Sequence, residues 1–173
     1  DYTVTVTDAN GCMGTDSTMV IVNANPTSTA NNTGPYCAEE TIQLNSTGDT
    51  TYSWSGPLAY SNATQNPIIG SSITAMSGVY SVTVTNAAGC TSIATTTVSV
   101  TAPIANAINT SPHCAGATIV LGSSGGGTYS WSGPLAYSNA TQNPTILNST
   151  TAMSGDYTVT VTDANGCMGT DST

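Results

Sequence analysis

Few side chains in this 173-residue sequence could do chemistry: five cysteines, one histidine, nine carboxylates, and no lysine or arginine. Cys12, Cys37, Cys90, Cys114 and Cys167 could pair as disulfides. His113 has only the thiol of Cys114 beside it as a metal-ligand companion, and the matching position of the other repeat is Tyr36, so it reads as a surface or interface residue. TDANGC, at Thr7–Cys12 and again at Thr162–Cys167, offers the oxygens of Asp8 and Asn10 in a faintly calcium-like order. It lacks the other ligands of an EF-type loop. The middle copy reads TNAAGC, so a hairpin turn is the expected structure. Catalysis finds no foothold: no carboxylate pair stands at matched positions, no base serves any serine, and no loop could cradle phosphate. A non-catalytic protein without metal or cofactor is expected.

The charge balance excludes whole classes of partner. With a formal net charge of −9 and no cation, the chain cannot bind nucleic acid by releasing counterions, nor dock on a membrane through a basic patch. No apolar run approaches the ~18 residues of a membrane span. Lysine isopeptide cross-links are impossible, as are ordinary salt bridges. Stability must come from packing, sheet hydrogen bonds and disulfides.

The elements that position these residues are repeated. DYTVTVTDANGCMGTDST occupies Asp1–Thr18 and returns unchanged at Asp156–Thr173, an offset of 155. Val79–Cys90 is a variant of its first part, at offset 78 from the first copy. TYSWSGPLAYSNATQNP stands at Thr51–Pro67 and Thr128–Pro144, and CAEETIQL at Cys37–Leu44 is matched by CAGATIVL at Cys114–Leu121, both 77 apart. The repeat unit is therefore near 77 residues, and the shared ends read as cuts through a longer tandem array. The expected division is 1–23 as the end of a preceding repeat, 24–101 as a complete repeat, and 102–173 as a repeat lacking its last strand.

Within a repeat the pattern has period two. Tyr80, Val82 and Val84 alternate with Ser81, Thr83 and Thr85; Ile42 with Leu44, Tyr52 with Trp54 and Val98 with Val100 do the same. Gly34-Pro35, Gly56-Pro57, Asn66-Pro67, Ser77-Gly78 and Ala88-Gly89 punctuate between them. Thr and Val dominate, and no stretch has helical periodicity. Short strands at this spacing predict an all-β chain of tandem sandwiches.

The ordered blocks C-x-x-x-T-I-x-L, Y-S-W-S-G-P and M-S-G-x-Y-x-V-T-V-T-x-x-x-G-C, present twice over nearly the whole chain, resemble the Ig-like repeats of large surface adhesins of Bacteroidetes-type bacteria. The resemblance implies strand B at Ile42–Leu44, C at Tyr52–Trp54, F at Tyr80–Thr85 and G at Thr97–Thr101. It implies a core centred on Trp54 and Trp131, with tyrosine corners at Tyr80 and Tyr157. Val82 stands where the usual inter-sheet cysteine would be, so the B–F disulfide of such sandwiches is absent.

On that frame Cys12, Cys90 and Cys167 follow the F–G turn, while Cys37 and Cys114 precede strand B. These positions lie at opposite ends of a sandwich, roughly 20 Å apart across a strand of about six residues, beyond the reach of an S–S bond. Cys37 could instead meet Cys167 where one domain abuts the next. An intradomain Cys37–Cys90 bond in a less regular fold is the alternative, and free thiols a third. Either bridge implies an oxidising compartment.

N-x-[ST] sequons fall at Asn31, Asn45, Asn62, Asn109, Asn139 and Asn148, several of them expected by chance in a chain this rich in Asn and Thr. The resemblance adds an Asp-[Ser/Thr] O-glycosylation signal, matched at Ser17, Thr50 and Ser172. Gly56–Pro67 and Gly133–Pro144 are long connectors in which Tyr60 and Tyr137 could touch sugars, or in which Leu58 and Tyr60 plug the sandwich. The expected function is a structural repeat of an extracellular, cell-surface filament or adhesin stalk that associates with identical repeats. The alternative is a carbohydrate-binding adhesin module, with glycans as partners.

Overall fold

A computed structural model describes residues 1–173. The chain is all-β, built of Ig-like sandwiches in tandem, and three blocks follow one another. In the first, β1 (Tyr2–Thr7) and β2 (Met13–Thr18) form an antiparallel hairpin, Tyr2 opposite Thr18, with every residue exposed. Nothing covers its Tyr2, Val4 and Val6 face.

The second block holds β3 (Thr29–Asn32), β4 (Tyr36–Cys37), β5 (Ile42–Thr47), β6 (Thr51–Gly56), β7 (Tyr60–Asn62), β8 (Ile68–Ile69), β9 (Gly78–Thr85), β10 (Thr91–Val98) and β11 (Val100–Thr101). One sheet has the order β3-β5-β8 and the facing sheet β10-β9-β6-β7, while β11 runs parallel to β4. Inward residues at every second position meet between the sheets. Ile42 and Leu44 come from β5, Trp54 from β6, Tyr80, Val82 and Val84 from β9, and Val98 and Val100 from the end of the domain.

The third block repeats this with β12 (Asn106–Asn109), β13 (Ile119–Ser124), β14 (Thr128–Gly133), β15 (Tyr137–Asn139), β16 (Thr145–Ile146), β17 (Thr158–Thr162) and β18 (Met168–Ser172). Its sheets run β12-β13-β16 and β15-β14-β17-β18. Its core is smaller: Ile119, Leu121, Trp131, Tyr157, Val159 and Val161. It has no counterpart of the β4–β11 pair.

One expectation needs correction here. Strand G begins at Thr91, not Thr97, so 102–173 holds the first part of that strand as β18, paired with β17 over Thr158↔Ser172 to Thr162↔Met168. The apolar alternation missed this strand because its inward positions are small or polar. Ser92 Oγ lies 2.8 Å from Ser28 Oγ, and Asn32 Nδ2 donates to Thr96 Oγ1 at 2.8 Å. The strand facing it asks for hydroxyls rather than apolar bulk. What the third block lacks is only the counterpart of Thr97–Thr101.

The repeated motif blocks fit one against another. Gly56 lies beneath the ring of Tyr80, where a Cβ would come within 2.5 Å of the ring; Gly133 and Tyr157 repeat this contact at 2.5 Å. Tyr80 Oη donates to Met76 O at 3.1 Å and Tyr157 Oη to Met153 O at 2.9 Å, each closing a corner four residues wide. W-S-G-P and M-S-G-x-Y are thus two halves of one contact.

Candidate functional site: the joint between the domains

The structure brings Cys37, at the foot of the second block, against Cys167, in the β17–β18 turn of the third. The two are disulfide-bonded, with Cα atoms 5.2 Å apart across a sequence separation of 130. The intradomain alternative does not form. Cys90 instead points its thiol at Asn23 O, 3.8 Å away. Cys12, Cys90 and Cys114 are free.

Each element of the joint has a local cause. Tyr36 and Cys37 are held by β11 along β4: Tyr36 N–H donates to Ser99 O at 2.9 Å and Ala38 N–H to Thr101 O at 2.8 Å. The Tyr36 hydroxyl accepts from Thr33 N–H at 3.0 Å and bonds the backbone of Gln43, pinning the strand over the core. From the other side, Asp163 Oδ1 accepts the amides of Asn165 at 2.8 Å and Cys167 at 2.9 Å, which shapes the turn that presents Cys167. Thr101, at the domain boundary, sets its hydroxyl 3.0 Å from Cys167 Sγ. Gly169 lies so close to Pro103 O that no side chain would fit between them. Ala107 N–H donates to Asp171 Oδ2 at 2.7 Å.

The electrostatics follow from these bonds. Asp163 sits below its ordinary value although desolvation pushes it up. Hydrogen bonds to its carboxylate, from the amides of Cys167 and Asn165, outweigh that push. Asp171 is lowered chiefly by the Ala107 amide, with Ser172 helping.

The calcium-like loops are hairpin turns that use their oxygens internally. Asp8 Oδ1 accepts Asn10 and Cys12 N–H at 2.9 Å each, and Asn86 Oδ1 accepts Ala88 N–H at 3.1 Å and Cys90 N–H at 2.9 Å. Acid and amide do the same work, which explains why the middle copy dispenses with the acid. Gly11, Gly89 and Gly166 take φ of +85°, +83° and +86°, conformations that favour glycine. No group of three or more His, Cys, Asp or Glu residues is placed to hold a metal ion. No helix is long and apolar enough to cross a membrane.

The other expected site residues are scattered. Ser17, Thr50 and Ser172 are exposed, on β2, in a turn and on β18. Among the sequons, Asn31, Asn109 and Asn148 are exposed, while Asn45 is half-buried on β5. Asn62 and Asn139 Oδ1 each accept the amide and hydroxyl of their own sequon threonine, Thr64 and Thr141, at 2.8 Å, so both serve as turn residues.

Tyr60 and Tyr137 depart from the sugar-contact reading. Their rings meet Tyr80 and Tyr157 edge-on at 5.5 Å, and both hydroxyls are buried without a hydrogen-bond partner. Burial pushes both phenols above their ordinary value. These tyrosines are core-side residues. Leu58, expected to plug the sandwich, instead points outward, 63% exposed, from a left-handed backbone with φ of +55°. Leu135 repeats it at 67% and +56°. The sequence offered no signal for that reversal, because a Leu beside Pro reads as core.

No family model matches the chain, and no curated protein does. Similar solved structures are Ig-like. The chain is similar to three N-terminal domains of the bacteriophage RB49 highly immunogenic outer capsid protein, with 19% identity, 85% of this chain and 58% of that one covered, and a TM-score of 0.46. It is similar also to a 1.5-MDa bacterial ice-binding adhesin, with 18% identity, 98% and 70% covered, and a TM-score of 0.39. A third is the four N-terminal Ig domains of Dscam1 isoform 6.9, with 15% identity, 94% and 50% covered, and a TM-score of 0.42. This chain spans little more than half of the phage fragment and half of the Dscam1 fragment. At these scores the fold class rests on the strand order and cores described above, and no binding or assembly property transfers.

Proposed function

We propose that the chain is a structural segment of an extracellular filament or adhesin stalk. The observation that carries this reading is the Cys37–Cys167 bond, which joins successive sandwiches rather than closing one. A bond so placed fixes the angle between neighbours and recurs wherever the repeat recurs. It also belongs in an oxidising compartment. The absence of Lys and Arg removes every trypsin site, and a Thr- and Ser-rich exterior stays hydrated without charge pairs. Ser17, Thr50 and Ser172 remain candidate attachment points for O-glycans on that exterior, the bacterial reading being part of this proposal. Carbohydrate recognition by Tyr60 and Tyr137 finds no support in their inward placement.

Cryo-EM of the native material tests the reading. Domains with strands of about six residues and end loops should be roughly 35–45 Å long, giving a two-domain axial period on the order of 70–90 Å. Isolated particles with no axial repeat would overturn it.

A further inference from the structure

The two copies of TDANGC hold the only Asn-Gly steps of the chain, Asn10–Gly11 and Asn165–Gly166; every other asparagine is followed by a residue that carries a Cβ. An Asn-Gly step is chemically labile, because no side chain on the glycine keeps its nitrogen away from the asparagine carboxamide. In the β17–β18 turn the reacting groups are open to water. Asn165 and Gly166 are exposed, and a Cβ built on Gly166 would meet nothing within 4 Å. Asn165 is bonded through its main-chain amide alone, so its carboxamide is free.

The turn nevertheless holds the nucleophile. Gly166 N–H donates to Asp163 O at 3.1 Å, and Asp163 Oδ1 accepts the amides on either side of it, Asn165 at 2.8 Å and Cys167 at 2.9 Å. The middle copy separates holding from reacting. Asn86 stands in the place of Asp163 with its carboxamide fully engaged: Oδ1 accepts Ala88 and Cys90 N–H, and Nδ2 donates to Ala24 O at 2.9 Å. Its successor is Ala87, and Ala88 occupies the position of Asn165. That turn is built alike and carries no reactive step.

We propose that Asn165–Gly166 is a site of spontaneous succinimide formation, at a rate set by the Asp163 turn. When the turn opens, the Gly166 amide gives its proton to water or hydroxide, and its nitrogen attacks Cγ of Asn165. The new C–N bond closes the ring as the Cγ–Nδ2 bond breaks, and ammonia leaves with a proton. Water then opens the ring at Cγ or at the main-chain carbonyl carbon of Asn165, leaving aspartate or isoaspartate. Water is consumed and ammonia released, with no oxidant and no cofactor. Asp163 is a positioning residue: its carboxylate keeps the loop in which Gly166 N–H stays bonded. The product places a new negative charge beside Asp163, across the joint from the strand where Glu40 Oε2 accepts Cys37 N–H at 2.8 Å, and no Lys or Arg in the chain offsets it. Isoaspartate also adds a carbon to the main chain inside the turn. This chemistry goes beyond the structural role proposed above and holds with or without a filament.

The test is prolonged incubation of the purified 173-residue chain in warm, mildly alkaline buffer. Chymotryptic peptides are mapped without reduction, and an isoaspartyl methyltransferase labels isoaspartate. Linkage to the Cys37 peptide distinguishes Asn165 from the identical stretch around Asn10. The expected result is an NH2-to-OH mass change at Asn165 and Asn10 and none at Asn86. Unfolding in urea should raise the Asn165 rate about tenfold, and Asp163→Ala should do the same in the folded chain, since each removes hydrogen bonds worth about that factor. The Asn10 rate should not respond to Asp163→Ala. Asp163→Asn should keep the slow rate, because Asn86 builds the same turn. Asn165→Ala, which reproduces Ala88, should remove the signal from the Cys37-linked peptide. No conversion at Asn165 in the folded chain, while the unfolded chain converts fully, would overturn the site. Equal rates in the folded and urea-unfolded chain would overturn control by the turn, a comparison that needs no variant. A rate raised equally by Asp163→Ala and Asp163→Asn would overturn the positioning role of Asp163.

Discussion

Among single residues, Gly56 and Tyr80 show how much of this domain hangs on one contact. The Tyr80 ring covers Gly56, and its hydroxyl ties back to Met76 O. Tyr80→Phe loses that one bond and should cost about 1 kcal/mol. Gly56→Ala pushes a methyl into the ring and should cost roughly 1–3 kcal/mol. Thermal unfolding of both variants checks this, and an unchanged melting temperature for Gly56→Ala would contradict the packing described. The sequence made Trp54 and Tyr80 legible as core because they sit in alternating strands next to Gly-Pro breaks. It could not make Leu58 legible. A left-handed backbone at a non-glycine residue reverses the direction of a side chain, and nothing in the letters PLA signals it. Tyr60 was open to two readings, sugar contact or plug of the sandwich, and its ring meets an aromatic edge inside, as the plug reading expected.

At the level of elements, the β17–β18 turn carries the pH dependence. Asp163 has a folded pKa below its unfolded one, so it contributes stability above the ordinary carboxylate range and loses it as pH falls through the folded pKa. Wild type should therefore weaken on acidification below about pH 4 more than Asp163→Asn does. Asn is the right probe because Asn86 builds the same turn without a charge. Parallel melting curves from pH 7 down to about pH 2.5 would decide it; identical acid sensitivity in the two proteins would exclude Asp163 as the source. The strands at this level were mostly readable. Apolar alternation marked β5, β6 and β9, all of which face the other sheet's apolar side chains. It missed the start of β10 and all of β18, whose inward residues answer hydroxyl and amide partners on β3 and β12. Period-two reasoning detects apolar burial, and an edge strand secured by polar pairs escapes it.

For the whole molecule, the repeat offsets alone divided the chain, and the structure adds what happens between the divisions. The length of a strand pointed to a bond between neighbours, with an intradomain Cys37–Cys90 bond left open, and the structure joins Cys37 to Cys167. The repeat offsets also signalled the smaller core of the third block, since 102–173 holds no counterpart of Val98 and Val100. The position of the bond has a mechanical corollary. Pull the chain by its two ends, and the load enters along the first 37 residues, crosses a sulfur–sulfur bond and leaves through the last few. Everything between Cys37 and Cys167, a span of 130 positions holding both Trp54 and Trp131, lies off that path. In a force spectrometer the oxidised protein should show no domain-sized extension steps, and the reduced protein should show two. The cores would be slack passengers, and the covalent link would bear the tension.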